Sequence, residues 1–151
     1  MATQPNYKGA LTQYMTHPEE WTYHIPEGMT TMEGALVEPA AVGMHAAVLG
    51  GAQPGKSIVI LGGGTIGLMV LQACISLGAT DITVVDVIEK RLELAKKLGA
   101  ARVINGKEED TVAVLRSEEM YGDHGVDLVF EAAGAVFTAQ QAVQILSLIH
   151  I

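Results

Sequence analysis

Cysteine is almost missing from this chain. Cys74 is the one thiol in 151 residues, which excludes an internal disulfide framework and is compatible with a reducing compartment. Positive charge is scarce too, with 9 Lys and Arg against 17 Asp and Glu and a formal net charge of −8. Phosphate-backbone binding needs clustered Lys and Arg, so nucleic acid is excluded as a partner. Although 49% of the residues are hydrophobic, no charge-free apolar run reaches the roughly 18 residues that suggest a membrane span. Met1-Ala2-Thr3-Gln4 lacks a basic segment followed by an apolar one, so no secretory leader is expected and the cytoplasm is the expected location. A single domain of this length can bury about two thirds of its unfolded surface.

What is present is concentrated in one stretch. The aliphatic run Ser57-Ile58-Val59-Ile60-Leu61 leads into glycines spaced G-x-G-x-x-G at Gly62, Gly64 and Gly67, and a helical pattern follows through Ile66, Met69, Val70, Ala73 and Leu77. In such a strand–turn–helix the first glycine allows a sharp turn. The second admits a diphosphate where a Cβ would block it, and the third lets helix and strand pack closely. The unpaired amides of the first helical turn, with the positive end of its dipole, hold phosphate oxygens. Glycine-rich turns are common, so the context has to carry the reading. A second run, Asp81-Ile82-Thr83-Val84-Val85-Asp86, ends in an acid 19 residues after Gly67, close to the spacing of a ribose-binding carboxylate.

The remaining chain is read in order. Ala10–Met15 and Trp21–Ile25 are expected as short strands, joined by a turn at His17-Pro18-Glu19-Glu20. Two strands alone are marginal in water, so this opening segment is expected to be the tail of something larger. Residues 31–49 are helical in pattern, with an irregular turn expected at Val37-Glu38 because Pro39 follows. A carboxylate beside such a break is a candidate functional group; the plainer reading of Glu38 is a solvated acid. Further helices are expected over Glu89–Leu98, capped by Gly99, over Glu108–Met120 and over Ala135–Leu146. Strands are expected over Arg102–Asn105 and Val126–Glu131. His45 is expected to be a buried or hydrogen-bonded helical residue, because seven residues on one helix separate it from Glu38 by about 10 Å, too far to share a metal ion. Cys74 is expected to be a small core residue.

Strands alternating with helices imply a parallel, doubly wound α/β sheet. Its order is expected to be 3-2-1-4, the first four strands of a dinucleotide-binding fold. Ser147-Leu148-Ile149-His150-Ile151 do not continue a glycine-bounded fifth strand and read as an out-of-place tail. The chain is therefore expected to be a fragment.

The segment from Gly34 to Ala46 (GALVEPAAVGMHA), Leu61 to Gly67 (LGGGTIG), Val85-Asp86 with Arg91, and Gly99-Ala100 together resemble the medium-chain zinc-dependent alcohol dehydrogenases. The polyol dehydrogenases, sorbitol and xylitol dehydrogenase among them, are the nearest branch, with threonine dehydrogenase beside it. The resemblance implies that residues 1–39 are the end of a mostly β, GroES-like catalytic domain with its connecting helix. Residues 40–146 are then an incomplete NAD-binding Rossmann domain, and 147–151 a non-native tail. It implies cofactor contacts from Gly62, Gly64, Thr65, Ile66, Gly67, Asp86, Arg91 and Ala133, the last in a small-residue turn that lets the cofactor approach. It places Glu38 beside the catalytic zinc or its bound water, the other zinc ligands being absent from this chain. Asp86 would accept the ribose hydroxyls and repel a 2′-phosphate, favouring NAD over NADP; Arg91 could help hold a phosphate if Asp86 turned away. In the intact enzyme zinc would act as a Lewis acid on an alcohol or polyol hydroxyl, and the alkoxide would pass hydride to the nicotinamide. The intact enzyme is expected to be a homo-oligomer without nucleic-acid or membrane partners, and this chain alone to be inactive. Three other readings share the glycine turn: a nucleotide-binding module without catalysis, a zinc-free quinone-type reductase of the same superfamily, and an S-adenosylmethionine-dependent methyltransferase.

Overall fold

The computed structural model describes residues 9–147. The chain divides into two compact units between Ala35 and Leu36. In the first unit neither expected strand forms, and the regular structure among the described residues before the first helix is a single 3-10 turn, Glu19–Trp21. A strand without a partner leaves its amides and carbonyls unpaired, and Leu11, Tyr14 and Tyr23 are accordingly exposed. The helix α1, Thr31–Gly50, is started by a reciprocal cap. Glu33 accepts from the Thr30 amide at 2.7 Å while the Glu33 amide donates to the Thr30 hydroxyl at 3.2 Å.

The irregular turn expected at Val37-Glu38 is also absent, since α1 continues unbroken with Pro39 inside it. Proline removes one helical hydrogen bond, to the carbonyl four residues back at Ala35, and a long helix survives that loss. The boundary between the two compact units falls at that same turn.

From Ser57 onward the expected α/β alternation is realised. Strands β1 (Ser57–Leu61), β2 (Asp81–Asp86), β3 (Arg102–Asn105) and β4 (Leu128–Glu131) form one parallel sheet in the order β3-β2-β1-β4. Helices α2 (Thr65–Ser76), α3 (Glu89–Lys97), α4 (Thr111–Leu115) and α5 (Val136–Ile145) connect and follow them. The pleat sorts the core into two halves. Ile58, Ile60, Ile82 and Val84 pack with Leu71, Cys74 and Ala95, while Val59, Leu61, Val85 and Ile104 pack with Leu115 and Ile145. With both faces covered, the strands read as continuous aliphatic runs rather than alternating ones. Gly99, at φ +105°, closes α3 as expected: its amide and that of Ala100 donate back to Lys96 and Ala95.

Several boundaries moved. Of the expected α2 stripe, Val70 and Ala73 are buried and Leu77 packs against the core, joined by Gly67, Leu71 and Cys74, while Ile66 is exposed. The helix expected over Glu108–Met120 shrinks to α4. Asp110 caps its start by accepting from the amides of Val112 and Ala113. Beyond its end, the Arg116 guanidinium donates to the carbonyls of Asp123, Gln144 and Leu146. Val126 lies outside β4 and instead forms a parallel bridge with Leu146. Ser147, expected to begin a tail, is buried and its amide donates to the Val126 carbonyl at 2.8 Å. Residues 148–151 of that expected tail lie outside the described residues. At the opposite end of β1, Asp127 takes the Ser57 amide at 2.9 Å and the Lys56 ammonium at 3.0 Å, tying the starts of β1 and β4 together.

Candidate nucleotide-binding cleft

In an open parallel sheet the crevice lies beyond the carboxyl ends of the strands, where the strand order reverses. Here the reversal is between β1 and β4, and the residues that follow them form the cleft. Gly62 leaves β1 at φ +109°, and a Cβ there would stand 2.8 Å from the backbone of Ala132 and Ala133. Glycine at this position therefore serves both a left-handed turn and the close passage of two chain segments. A Cβ at Gly67 would lie 1.8 Å from the Gly62 carbonyl oxygen, so the third glycine lets α2 start directly under the turn. Gly64 differs from both. No atom lies within 4 Å of where its Cβ would be, and that empty direction belongs to a residue lining the cleft. Nothing inside the protein requires glycine there. Gly64 offers no side-chain cap to α2, so the first-turn amides of Thr65, Ile66 and Gly67 are the helix donors left for an anion.

Asp86 stands at the carboxyl end of β2 and is buried to 7% exposure. Its Oδ1 accepts from the amides of Val87 and Ile88 at 2.7 and 2.9 Å. Its Oδ2 accepts from the Gly63 amide at 2.7 Å and from Arg91 Nη1 at 3.3 Å. Burial pushes the carboxyl pKa up, but the Gly63, Ile88 and Val87 amides and the Arg91 guanidinium outweigh it and hold the group below the usual carboxylate range. All of its principal acceptor directions are used. The Arg91 bond is the longest, and that side chain is about half exposed.

The far wall is the turn after β4, containing Ala132, Ala133 and Gly134. Glu131, paired in register with Leu61 at the head of β1, organises it. Glu131 Oε1 accepts from the amides of Ala133 and Gly134 at 3.0 and 2.9 Å and from the Thr138 hydroxyl at 2.7 Å. The Thr138 hydroxyl, with the Gly134, Ala133 and Ala135 amides, outweighs the opposing effect of burial and lowers its pKa. The cleft enclosed between these walls measures about 530 Å³, and Gly62, Gly64, Asp86, Arg91 and Ala133 all line it. Thr65, Ile66 and Gly67, the other expected cofactor contacts, are not among its lining residues. Sequence reading passed over Glu131, Thr138, Thr111 and Gln141, all of which belong to this site or its support. The only signal for them was an acid directly before a small-residue turn, with a threonine seven residues on.

Glu38 does not join this constellation. It is exposed on α1, and no hydrogen bond is made to it by the described residues. His45, expected to be buried or hydrogen-bonded, is exposed as well. Among the described residues no group of three or more His, Cys, Asp and Glu side chains could hold a metal ion. The residues present therefore do not fit a zinc site. Cys74 is fully buried in the core, and burial pushes its thiol pKa up to about 11.

Parallel sheet, glycine turn, uncapped α2 and acid-tipped β2 define a Rossmann-type α/β unit. A family model described as zinc-binding dehydrogenase matches residues 65–148, more than half of the sequence. The chain belongs to the zinc-binding dehydrogenase family. It is 63% identical over 142 residues to the uncharacterized zinc-type alcohol dehydrogenase-like protein YdjJ of Escherichia coli K12, covering 94% of this chain and 40% of that protein. It is 39% identical to the sorbitol dehydrogenase of Bacillus subtilis 168, with 94% and 39% coverage. A crystal structure of an Escherichia coli oxidoreductase/dehydrogenase of unknown specificity, described as involved in membrane biogenesis, superposes with a TM-score of 0.90 at 60% identity, covering 97% of this chain and 42% of that one. A second structure, described as a zinc-binding dehydrogenase of Sinorhizobium meliloti 1021 bound to NADP, superposes with a TM-score of 0.78 at 30% identity, covering 83% and 36%. The chain thus spans about two fifths of the length of the curated relatives it matches. No helix among the described residues is long and apolar enough to cross a membrane.

Proposed function

We propose that this chain supplies the cofactor-binding part of a zinc-dependent, NAD-linked dehydrogenase that oxidises a secondary alcohol or polyol by hydride transfer. The supporting observation is the pairing of an open Gly64 with a buried, ionised Asp86 in one cleft. The diphosphate would rest on the Gly64–Gly67 amides and the adenosine ribose against Asp86. A ribose hydroxyl can enter by displacing Arg91, whose bond to Oδ2 is the longest of the four. That exchange leaves the three amide donors and the charge of Asp86 intact. A 2′-phosphate in the same place would face a carboxylate held in its ionised form, a like-charge contact that costs several kcal/mol. Arg91, once released, would recover part of that cost. The polyol assignment rests on the sorbitol dehydrogenase relative. Glu38 remains an active-site candidate only for the longer protein, since its neighbours here do not complete a site. A cytoplasmic homo-oligomer is part of the same proposal for that longer protein.

The test is titration of the purified chain with NADH and NADPH, followed by nicotinamide fluorescence, for the native protein and for Asp86→Asn. NADH should bind at least about tenfold more tightly than NADPH, and Asp86→Asn should close most of that gap. Equal affinities in the native protein would remove Asp86 as the discriminating group.

A further inference from the structure

The strand order lays the cleft out as a line. Asp86 ends β2, the glycine turn follows β1 and the Ala132–Ala135 turn follows β4, and these strands are neighbours in the order β2-β1-β4. With the adenosine ribose at Asp86 and the diphosphate over the glycine turn, the nicotinamide half runs on toward the β4 side. The turn that it meets there has little of its own to keep its shape. Ala132, Ala133 and Ala135 carry only methyl groups, and Gly134 takes φ +71°. The Ala132 amide is still held to the sheet, by the Leu61 carbonyl at 2.8 Å. Ala133, Gly134 and Ala135 are exposed, so side-chain packing does not fix them.

A single carboxylate oxygen does. Glu131 Oε1 takes the amides of Ala133 and Gly134, and the Thr138 hydroxyl donates to it from the first turn of α5. The carboxylate thus stands at the start of α5, whose own N-cap residue, Ala135, has no capping side chain. The positive end of that helix favours a negative charge there. The two helices that begin at the cleft differ in this respect: α2 keeps its first turn open to a ligand's charge, and α5 is met by the protein's own. We infer that Glu131, backed by Thr138, is a positioning residue for the nicotinamide half of the cofactor. It sets the Ala133–Gly134 backbone on which that half rests and takes no part in holding the adenosine half. The inference rests on the dinucleotide reading above. Hydride transfer depends steeply on the placement of the ring, and a wall of alanine and glycine can place it only by the shape of its backbone.

The experiment uses ADP, which carries the adenosine diphosphate half alone, and NADH, which carries both halves. Each is titrated into the native chain, Glu131→Ala, Glu131→Gln and Thr138→Val, by calorimetry and, for NADH, by nicotinamide fluorescence. Glu131→Ala should weaken NADH about tenfold and leave ADP within about twofold of native. Glu131→Gln keeps an acceptor oxygen and should recover most of the NADH affinity. Thr138→Val should weaken NADH in the same direction by less, about two- to fivefold, since it removes one of the bonds to the carboxylate. Equal weakening of ADP and NADH in Glu131→Ala and Thr138→Val would make Glu131 a general support of the fold and overturn the positioning role. Native NADH affinity in Glu131→Ala would overturn it as well. In both cases ADP binding by the native chain leaves the dinucleotide reading standing. Should the native chain bind neither probe, both readings fall together.

Discussion

Asp86 and Glu131 show how differently two acids can be used in one cleft. Asp86 is buried and tied to the glycine turn, so its charge is a fixed feature of the ligand site. Glu131 sits on the rim and spends one oxygen on shaping the chain beside it. Both carboxyls are held below their ordinary range, as is Asp127, where burial is outweighed by bonds from Ser57 and Lys56. A lowered native pKa contributes stability that is fully present above the unfolded value, near 4 for these groups. It is lost as pH falls through the lower native value. The melting temperature should therefore be flat with respect to these three groups between about pH 5 and 7 and decline below about pH 4. A decline already under way between pH 7 and 6 would place the controlling group elsewhere. Glu131→Ala should speed amide exchange at Ala133 and Gly134 and weaken NADH about tenfold, through loss of bonds to a charged acceptor. Exchange in the β1 amides should stay slow. Glu131→Gln, which keeps an acceptor oxygen, should restore most of both properties. Uniform acceleration across the sheet in Glu131→Ala would show global destabilisation rather than a local clamp.

At the scale of elements, the glycine turn separates two requirements that the sequence motif presents as one. Gly67 is needed by the fold, because its Cβ would press on the Gly62 carbonyl at 1.8 Å. Gly64 is not needed by the fold, because its Cβ direction is empty, and in the proposed function it is the ligand that needs it. Gly67→Ala should lower the unfolding free energy by about 1–3 kcal/mol, measured by urea denaturation, and weaken nucleotide binding with it. Gly64→Ala, at a backbone conformation alanine readily adopts, should leave stability within about 1 kcal/mol and still abolish NADH binding. If Gly64→Ala binds NADH normally, the diphosphate does not pass over this turn. The helices make a related point. Core burial on α2 begins at Gly67 and not at Ile66, because the close helix–strand contact at the glycine sets which face turns inward.

For the molecule as a whole, the described residues carry the proposed nucleotide cleft and no metal cluster. The purified chain supplied with zinc, NAD and sorbitol should form no NADH at 340 nm, while NADH binding remains measurable. Zinc-dependent turnover by this chain would overturn that division of labour. Much of the architecture was legible beforehand because the aliphatic strands, the glycine spacing and the acid ending β2 are local patterns with few structural solutions. The strand order followed from the dinucleotide-binding fold that the glycine turn suggested. What failed were elements whose stability depends on a distant partner: the two opening strands have none among the described residues, and α4 is shortened where Arg116 turns to the carbonyls around Asp123 and Leu146. The helix α1 failed in the opposite sense, because a long helix tolerates one missing hydrogen bond at Pro39. The sequence by itself determined the α/β alternation, the glycine turn and the position of Asp86 at the end of β2, since each is written in residues close together in the chain. Only the tertiary structure decided that Glu131 shapes the far wall, that Thr111 and Gln141 line the cleft, and that Glu38 stands apart from it. Those three outcomes depend on contacts between segments dozens of residues apart, which no local pattern encodes.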